Sequence, residues 1–211
     1  WKVAQSPRVA QVYVAPGNAG TALEPRTTNV DIAADDIAGL LSFARTEEVD
    51  LTIVGPEGPL VLGVVDEFTA TGLRCFGPRK AAAQLESSKK FAKDFMVRHH
   101  IPTARHASFT DLDEAIEHIR AEGAPIVIKA DGLAAGKGVV VAQTIEEAEQ
   151  AVTQMLGERS FGAAGDCVVI EEFLRGEEAS FIAMVGVDGA ILPLATSQDH
   201  KARDDGDLLA H

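Results

Sequence analysis

Two lysines flank a glycine-rich loop in the segment IVIKADGLAAGKGVVVA, which runs from Ile126 to Ala142. Lys129 ends one apolar run and Lys137 precedes another, so the pattern predicts two strands joined by the loop. The glycines of the loop are Gly132, Gly136 and Gly138. Among such small residues the backbone can approach a ligand, and its N–H groups can face anionic oxygens. A lysine that leaves a buried strand needs a partner of opposite charge. A polyphosphate could both accept hydrogen bonds from the N–H groups of the loop and pair with the lysine.

The same loop has a simpler interpretation, because glycine-rich turns between strands are common. The loop is not a Walker A motif, since no Gly-Lys-Ser/Thr sequence opens a helix here. It is not a dinucleotide fingerprint either, since a strand rather than a helix follows it. Phosphate binding and a plain turn therefore both remain open on these residues alone.

Further cations precede this loop. Lys89 follows Ser88 at the beginning of a predicted helix and is a second candidate for contact with an anionic ligand. Lys90 and Asp94 have the i,i+4 spacing of an ordinary ion pair on a helix surface. The other basic residues of this region are predicted to form a solvated helix face.

Paired carboxylates follow a third apolar run, in VVIEEFLRGEEASF. Glu171-Glu172 end the run, and Glu177-Glu178 come directly after Gly176. One interpretation is an edge strand with solvated acids. The other is a hinge whose backbone meets the edge of a base while a carboxylate accepts hydrogen bonds from ribose hydroxyls.

The elements around these residues predict an α/β fold. In the first part of the chain, predicted strands alternate with predicted helices, which indicates a parallel sheet with helices on its faces. The strands are predicted at 9–15, 50–56 and 73–77, and the helices at 37–44 and 60–68. The cysteines, Cys75 and Cys167, lie in apolar runs and are expected to be buried, reduced thiols.

The second part of the chain predicts a mixture of helices and antiparallel strands. Helices are predicted at 84–100, at 111–123 with a capping box of Thr110 and Asp113, and after Thr144, which has capping-box spacing to Glu147. Strands are predicted at 167–174, 179–187 and 190–198, with a hairpin turn at Asp188-Gly189.

Composition excludes some classes of function. The 211 residues are 46% hydrophobic and carry a formal net charge of −13, so general affinity for nucleic acid or acidic membranes is not expected. No apolar run is long enough to span a bilayer, and no secretion signal is seen. The chain begins with Trp1 and ends without a clear stop, and we expect it to be a piece of a longer protein.

Together these motifs resemble a known family. Lys89, Lys129, the loop 131–138 and the residues 171–174 have the order and spacing of an ATP-grasp fold, in which two lobes hold ATP between them. Five stretches resemble the glycinamide ribonucleotide synthetases, also called phosphoribosylamine–glycine ligases: VAPGNAGT, DLTIVGPEGPLV, IVIKADGLAAGKGV, IEEFLRGEEASF and ATSQDHK. The resemblance implies a parallel-sheet, Rossmann-like lobe at 1–84 without its first strand. It implies a partial ATP-grasp α+β domain at 85–211, with a mobile subdomain near 107–174.

The resemblance also implies a reaction and its site residues. ATP would phosphorylate the carboxylate of glycine, and 5-phosphoribosylamine would attack the acyl phosphate to give glycinamide ribonucleotide, ADP and phosphate in de novo purine biosynthesis. The implied catalytic residues are Lys129 and Lys137. The implied ATP-binding residues are Lys89, Lys129, Gly132, Gly136, Lys137, Gly138, Glu171, Glu172, Phe173, Leu174 and Glu178. The implied substrate-binding residues are Asn18, Gly20, Thr21, Glu57, Asp199, His200 and Lys201.

The family further implies Mg²⁺ or Mn²⁺, whose protein ligands would lie beyond the end of this chain. We expect a cytoplasmic monomer that acts on small molecules, with no nucleic-acid or membrane partner. Two alternatives remain: another ATP-grasp ligase or carboxylase, and an inactive nucleotide-binding fragment. PGNAGT and SQDHK argue against the first alternative, and the missing ends favour the second, so we do not expect the chain as written to catalyse ligation.

Overall fold

The computed structural model describes residues 1–132, 138–157 and 165–199. It divides into two compact units, which are Trp1–Glu172 and Phe173–His211. The described residues of the first unit form two two-stranded sheets and one four-stranded sheet, with helices packed against them. The described residues of the second unit contain short antiparallel strands. No helix within the described ranges is both long and apolar enough to cross a membrane.

The N-terminal region confirms the predicted parallel arrangement. β1 (Val12–Val14) pairs in parallel with β2 (Thr27–Asn29), and β3 (Thr52–Ile53) pairs in parallel with β4 (Cys75–Phe76). The helices are α1 (Ile37–Thr46), α2 (Glu57–Leu62) and α3 (Val64–Ala70). Their core contains Ala44, Val64, Val65 and Phe68. Burial of these apolar side chains between helices and strands is what holds the region together.

The helix predicted at 60–68 is wrong in its extent, because the structure has two helices there. Gly63 has a φ of +98°, in the left-handed region, and its N–H bonds to the carbonyls of Pro59 and Leu60. Such a backbone ends α2, and glycine adopts it without the cost that a side chain brings. The apolar pattern continues across the break because both helices bury their apolar side chains in one core.

The helix predicted at 84–100 is also two helices, α4 (Lys80–Ser87) and α5 (Lys89–Arg98). Ser88 lies between them with extended φ and ψ of −134° and 113°, and its Oγ accepts a hydrogen bond from the Phe91 N–H. Ser88 therefore acts as the N-cap of α5. α5 ends at Arg98, and His100, with a φ of +55°, lies between the end of the helix and Ile101-Pro102.

The larger sheet has four antiparallel strands in the order β5-β8-β6-β7. They are β5 (His106–Phe109), β6 (Ile126–Ala130), β7 (Val139–Ala142) and β8 (Val168–Glu172). One face packs against α6 (Leu112–Glu122) and α7 (Ile145–Val152), and a π-helical turn, Thr153–Gly157, follows α7. β8 lies inside this sheet, so the interpretation of Glu171-Glu172 as solvated acids on an edge strand is wrong.

The two predicted helix caps beside this sheet have different outcomes. Thr144 caps α7 as predicted, because its Oγ1 accepts from the Glu147 N–H at 3.2 Å. Thr110 does not cap α6. Asp111 takes that position, and its Oδ1 accepts from the N–H groups of Asp113 and Glu114, both at 3.0 Å. A carboxylate beside the N-terminal end of a helix also interacts favourably with the helix dipole.

Asp111→Ala is expected to lower the free energy of unfolding by about 1 kcal/mol, because two N–H groups lose their acceptor. Thr110→Ala is the matched control and should have little effect, since Thr110 is exposed and makes no capping bond. Urea denaturation of both variants measures the difference. A larger loss from Thr110→Ala would contradict the assignment of the cap.

The second unit splits two of the predicted strands. Its strands are β9 (Glu178–Ser180), β10 (Ala183–Val185), β11 (Ile191–Pro193) and β12 (Ser197–Asp199). β10 pairs with β11 and β9 with β12, both antiparallel. The predicted hairpin turn is confirmed, since Gly189 has a φ of +81° and Asp188 Oδ1 accepts from the Ala190 N–H.

The cysteines are less buried than predicted. Cys75 and Cys167 are both free thiols and both half-buried. Burial is the main cause that raises the pKa of each thiol above its ordinary value. Both are therefore thiols rather than thiolates at neutral pH.

Candidate active site

The face of the larger sheet turned away from α6 and α7 carries charged side chains. In the pairing of β6 with β8, Val127 lies opposite Glu171 and Lys129 lies opposite Val169. Lys129 and Glu171 are thus diagonal neighbours on one face, within reach of long side chains. Ile128 and Ile170 lie on the other face, in the apolar core. The alternation of the strands therefore places a cation and a carboxylate side by side.

A third charged residue reaches this face from α5. Lys93 is only 7% exposed, and its Nζ lies 2.9 Å from Glu171 Oε2. The same Nζ donates to Thr103 Oγ1 at 2.8 Å and lies 3.5 Å from the Ala104 carbonyl oxygen. Buried charges are stable only when paired and hydrogen-bonded, and Lys93 has one carboxylate in an ion pair and two hydrogen-bond acceptors.

Glu171 bridges two lysines. While Lys93 contacts Oε2, Lys129 Nζ lies 3.0 Å from Oε1. Both contacts are ion pairs, and Oε1 accepts no hydrogen bond from the described residues. The Lys129 side chain is 27% exposed, against 7% for Glu171. Lys129 is thus the member of this cluster with the greatest access to solvent.

The base of the glycine loop is tied to the beginning of α5. Ser88 Oγ donates to Asp131, and the Lys90 N–H donates to Asp131 Oδ1 at 2.7 Å. Lys89 Nζ donates to the Gly132 carbonyl at 3.0 Å. Burial lowers the pKa of Lys89, and repulsion from Lys129 acts in the same direction, while Asp131 opposes both. A further anion beside Lys89 would therefore stabilise its charged form.

Asp131→Ala is expected to lower the free energy of unfolding by about 1–2 kcal/mol, because the first turn of α5 loses a charged acceptor. Asp94→Ala is a control on the same helix. It removes the exposed Lys90–Asp94 ion pair at 2.7 Å, and such pairs contribute about 0.3–0.5 kcal/mol. Urea denaturation compares the two variants, and equal losses would show that Asp131 does not act as a cap.

Glu172 has different partners from its neighbour. Its Oε1 accepts from the Arg105 backbone N–H at 2.7 Å, and its Oε2 accepts from Arg105 Nε at 3.1 Å. These two hydrogen bonds, the backbone one first, hold the pKa of Glu172 below its ordinary value. Glu171 faces two lysines inside the fold, whereas Glu172 pairs with an arginine at the surface.

The predicted substrate loop after β1 has a defined structure. The Asn18 N–H donates to Thr21 Oγ1 at 2.8 Å, and the Thr21 N–H donates to Asn18 Oδ1 at 3.0 Å. Asn29 at the end of β2 completes this network, since it bonds to both residues. Gly20 lies between Asn18 and Thr21, just before a 3₁₀ turn. The loop follows the carboxyl end of a parallel strand, where open α/β sheets bind ligands.

The other predicted residues belong to different parts of the chain. Glu57 is exposed in the first turn of α2. Phe173, Leu174, Glu178 and Asp199 belong to the second unit, where Asp199 lies opposite Glu178 in the pairing of β12 with β9. Gly136, Lys137, His200 and Lys201 lie outside the described residues. Gly138 is buried, and its carbonyl accepts from the Ala130 N–H at 2.8 Å.

The sequence interpretation missed Lys93 and Asn29. Lys93 follows Lys89 by four residues, so both are on one side of α5, and this spacing was the available signal. Asn29 offered no comparable signal, because it meets the substrate loop only through the pairing of β1 with β2. No group of three His, Cys, Asp or Glu side chains in the described ranges could hold a metal ion.

Comparisons with known proteins identify the family of this chain. Residues 1–86 match the family model of the phosphoribosylglycinamide synthetase N domain, and residues 87–209 match that of the ATP-grasp (A) domain of the same family. A phosphoribosylamine–glycine ligase from Allochromatium vinosum is 68% identical over 208 residues, which are 98% of this chain and 48% of that protein. The chain thus spans about half the length of the curated relatives it matches.

Solved structures support the same fold. The crystal structure of a phosphoribosylamine–glycine ligase from Thermotoga maritima has a TM-score of 0.69 and 34% identity, and the match covers 93% of this chain and 46% of that one. A biotin carboxylase–βγ-ATP complex from Campylobacter jejuni has a TM-score of 0.67 over 80% of this chain and 39% of that one, but at 19% identity it is similar in fold alone. Because the two domain models match in order along the whole sequence, this chain belongs to the phosphoribosylglycinamide synthetase family.

Proposed function

We propose that the complete protein of which this chain is a part joins glycine to 5-phosphoribosylamine, with conversion of ATP to ADP and phosphate. The observation that carries the proposal is the charged cluster between α5, β6 and β8, in a chain of this family. The cluster contains the lysines Lys89, Lys93 and Lys129 against the carboxylates of Glu171 and Asp131, so the positive charges exceed the negative ones by one. Such a surplus of positive charge suits a polyphosphate.

In the proposed reaction, a carboxylate oxygen of glycine attacks the γ-phosphorus of ATP, and ADP leaves. The amine of 5-phosphoribosylamine then attacks the carbonyl carbon of glycyl phosphate, a proton leaves the nitrogen, and phosphate departs. Phosphoryl transfer needs positioned cations and little covalent chemistry from the protein. Lys129 and Lys89 would orient the phosphates, with Lys137 and the glycine loop closing over them and excluding water.

The remaining sites follow the same proposal. Glu171 and the backbone of Glu172 and Leu174 would bind adenine, and Glu178 would bind the ribose. The loop with Asn18, Gly20 and Thr21 would bind phosphoribosylamine, a role supported by its position after a parallel strand. Asp199, His200 and Lys201 would face glycine and its phosphorylated form.

Magnesium is expected for this family, but the described residues do not fit a site for it. They contain no cluster of three potential ligands, and the carboxylate of Glu171 is held by two lysines. We therefore assign no step of the reaction to a metal held by the described residues.

The test uses the full-length protein with ATP, magnesium, glycine and freshly made 5-phosphoribosylamine. ADP release that requires both glycine and the amine supports the proposal. ADP release that depends on bicarbonate, or on another carboxylate instead of glycine, would identify a different ATP-grasp reaction. Glycine labelled with ¹⁸O in its carboxylate tests the intermediate, because a glycyl phosphate passes one labelled oxygen to the released phosphate.

A further inference from the structure

Lys93 is a buried charged residue to which the proposed reaction gives no role. The other charged residues near the beginning of α5 are at least partly exposed, as Lys89 and Lys90 are, whereas Lys93 is 7% exposed. Burying a lysine is costly unless its charge is balanced. A methionine could fill a similar volume without that cost. The presence of a lysine at this position therefore calls for a reason beyond packing.

The contacts of Lys93 show that it does not itself bind a ligand. Its ammonium group is enclosed, forms an ion pair with Glu171 Oε2 and donates hydrogen bonds to Thr103 Oγ1 and the Ala104 carbonyl. Lys129 differs, because its side chain is more exposed and its ion pair with Glu171 Oε1 is its single ion pair among the described residues. Of the two lysines, Lys129 is the one that can turn to a phosphate.

Turning Lys129 to a phosphate would remove one of the two cations beside Glu171. Because the Glu171 side chain is only 7% exposed, water cannot replace the lost partner effectively. If Lys129 were the sole counter-ion of Glu171, its release would leave a buried, unpaired negative charge, which is strongly unfavourable. Lys93 remains in place on Oε2 and prevents this.

We propose that Lys93 is a positioning residue for nucleotide binding: it holds Glu171 and supplies its permanent counter-ion, so that Lys129 is free to contact phosphate. This inference rests on the proposed function, since it takes a polyphosphate as the ligand of Lys129. Lys93 acts through Glu171 and Lys129 and does not touch the nucleotide. Without Lys93, Glu171 would hold Lys129 more tightly and compete with the ligand for it.

The experiment measures the Kd of a non-hydrolysable ATP analogue by calorimetry on variants of the full-length protein. Lys93→Met is expected to raise the Kd by about tenfold or more, and Lys93→Arg, which keeps the cation, should stay close to wild type. Lys90→Met, a change of the neighbouring exposed lysine on α5, is the matched control and should not change the Kd. In steady-state assays, Lys93→Met should raise the KM for ATP and leave the KM for glycine unchanged.

A folded Lys93→Met variant that binds the analogue as tightly as Lys90→Met overturns the inference. If Lys93→Met does not fold, the double variant Lys93→Met/Glu171→Gln carries the test, since it removes both buried charges together. Its Kd should equal that of Glu171→Gln alone, because a neutral side chain at position 171 leaves no negative charge for Lys93 to balance. A further loss in the double variant contradicts the proposal. A wild-type protein that binds no analogue contradicts the proposed function itself.

Discussion

Replacing Glu171 with alanine is expected to lower the free energy of unfolding of the full-length protein by about 3–5 kcal/mol. The change removes the carboxylate that lies 2.9 Å from Lys93 and 3.0 Å from Lys129. Lys129 can turn towards solvent, but Lys93 is enclosed and would keep an unbalanced charge inside the fold. Most of the loss therefore comes from leaving the buried ammonium group of Lys93 without a carboxylate, rather than from the lost ion-pair attraction itself.

Glu172→Ala is the matched control for this prediction, because Glu172 is the next residue of β8 and is also a glutamate in ion-pair contact. Its partner, Arg105, has an exposed side chain that water can solvate once the carboxylate is gone. The loss from Glu172→Ala should therefore be much smaller. Chemical denaturation followed by circular dichroism compares the two variants. Similar losses at both positions would show that the buried ion pairs of Glu171 do not contribute more to the free energy of unfolding than the surface pair of Glu172.

Lys129→Ala is expected to weaken binding of an ATP analogue by about 1.5–3 kcal/mol, which is roughly a 10- to 150-fold rise in Kd. Lys129 lies near the end of β6, close to the glycine loop, and its side chain is 27% exposed. The fold should tolerate this change, because Glu171 keeps Lys93 as a partner. The stability loss should therefore be well below that of Glu171→Ala, even though both residues belong to one ion-pair network.

Lys90→Ala is the control for Lys129→Ala. Lys90 pairs with Asp94 on the surface of α5, so its side chain already has a local partner, and its loss should change the affinity for the ligand very little. Calorimetric titration of both full-length variants with a non-hydrolysable analogue gives the comparison. If the two variants lose affinity equally, the assignment of Lys129 to the phosphates is wrong.

The residues at the ends of strands could be predicted from the sequence. Lys129 and Glu171 each follow a run of apolar residues, and this change from apolar to charged marks the end of a buried strand without knowledge of the fold. The pairing of β6 with β8, which makes them neighbours, could not be predicted in that way. It joins residues about forty positions apart, and nothing in the local pattern of either strand specifies its partner.

The buried ion pair between Lys93 and Glu171 could not be predicted from the sequence. Phe91 and Phe95 have the i,i+4 spacing of an apolar face, so the sequence favours burial of that side of α5. In the structure both phenylalanines are half-buried, and it is Lys93 that is enclosed. Its burial depends on a carboxylate that β8 brings to it, which is a tertiary effect. Helix periodicity reports apolar side chains and cannot identify a buried ion pair.

The helix boundaries were missed for a related reason. Ser88 could equally lie inside a helix, and the local sequence around it contains good helix formers. What ends α4 and begins α5 at this point includes the carboxylate of Asp131, which belongs to the loop after β6. Gly63 is different, because a glycine between two apolar turns is a local signal and a break could have been considered there.

The cap that Asp131 gives to α5 has a consequence for the order in which the chain acquires its structure. The Lys90 N–H and its acceptor are 41 positions apart in the chain. During synthesis, α5 therefore leaves the ribosome well before the residue that completes its first turn. The helix can form transiently on its own, but its beginning is secured only when β6 has been made and placed in the sheet. Because the same turn carries Lys89, we expect Lys89 and Asp131 to reach their final positions in the same late step of folding.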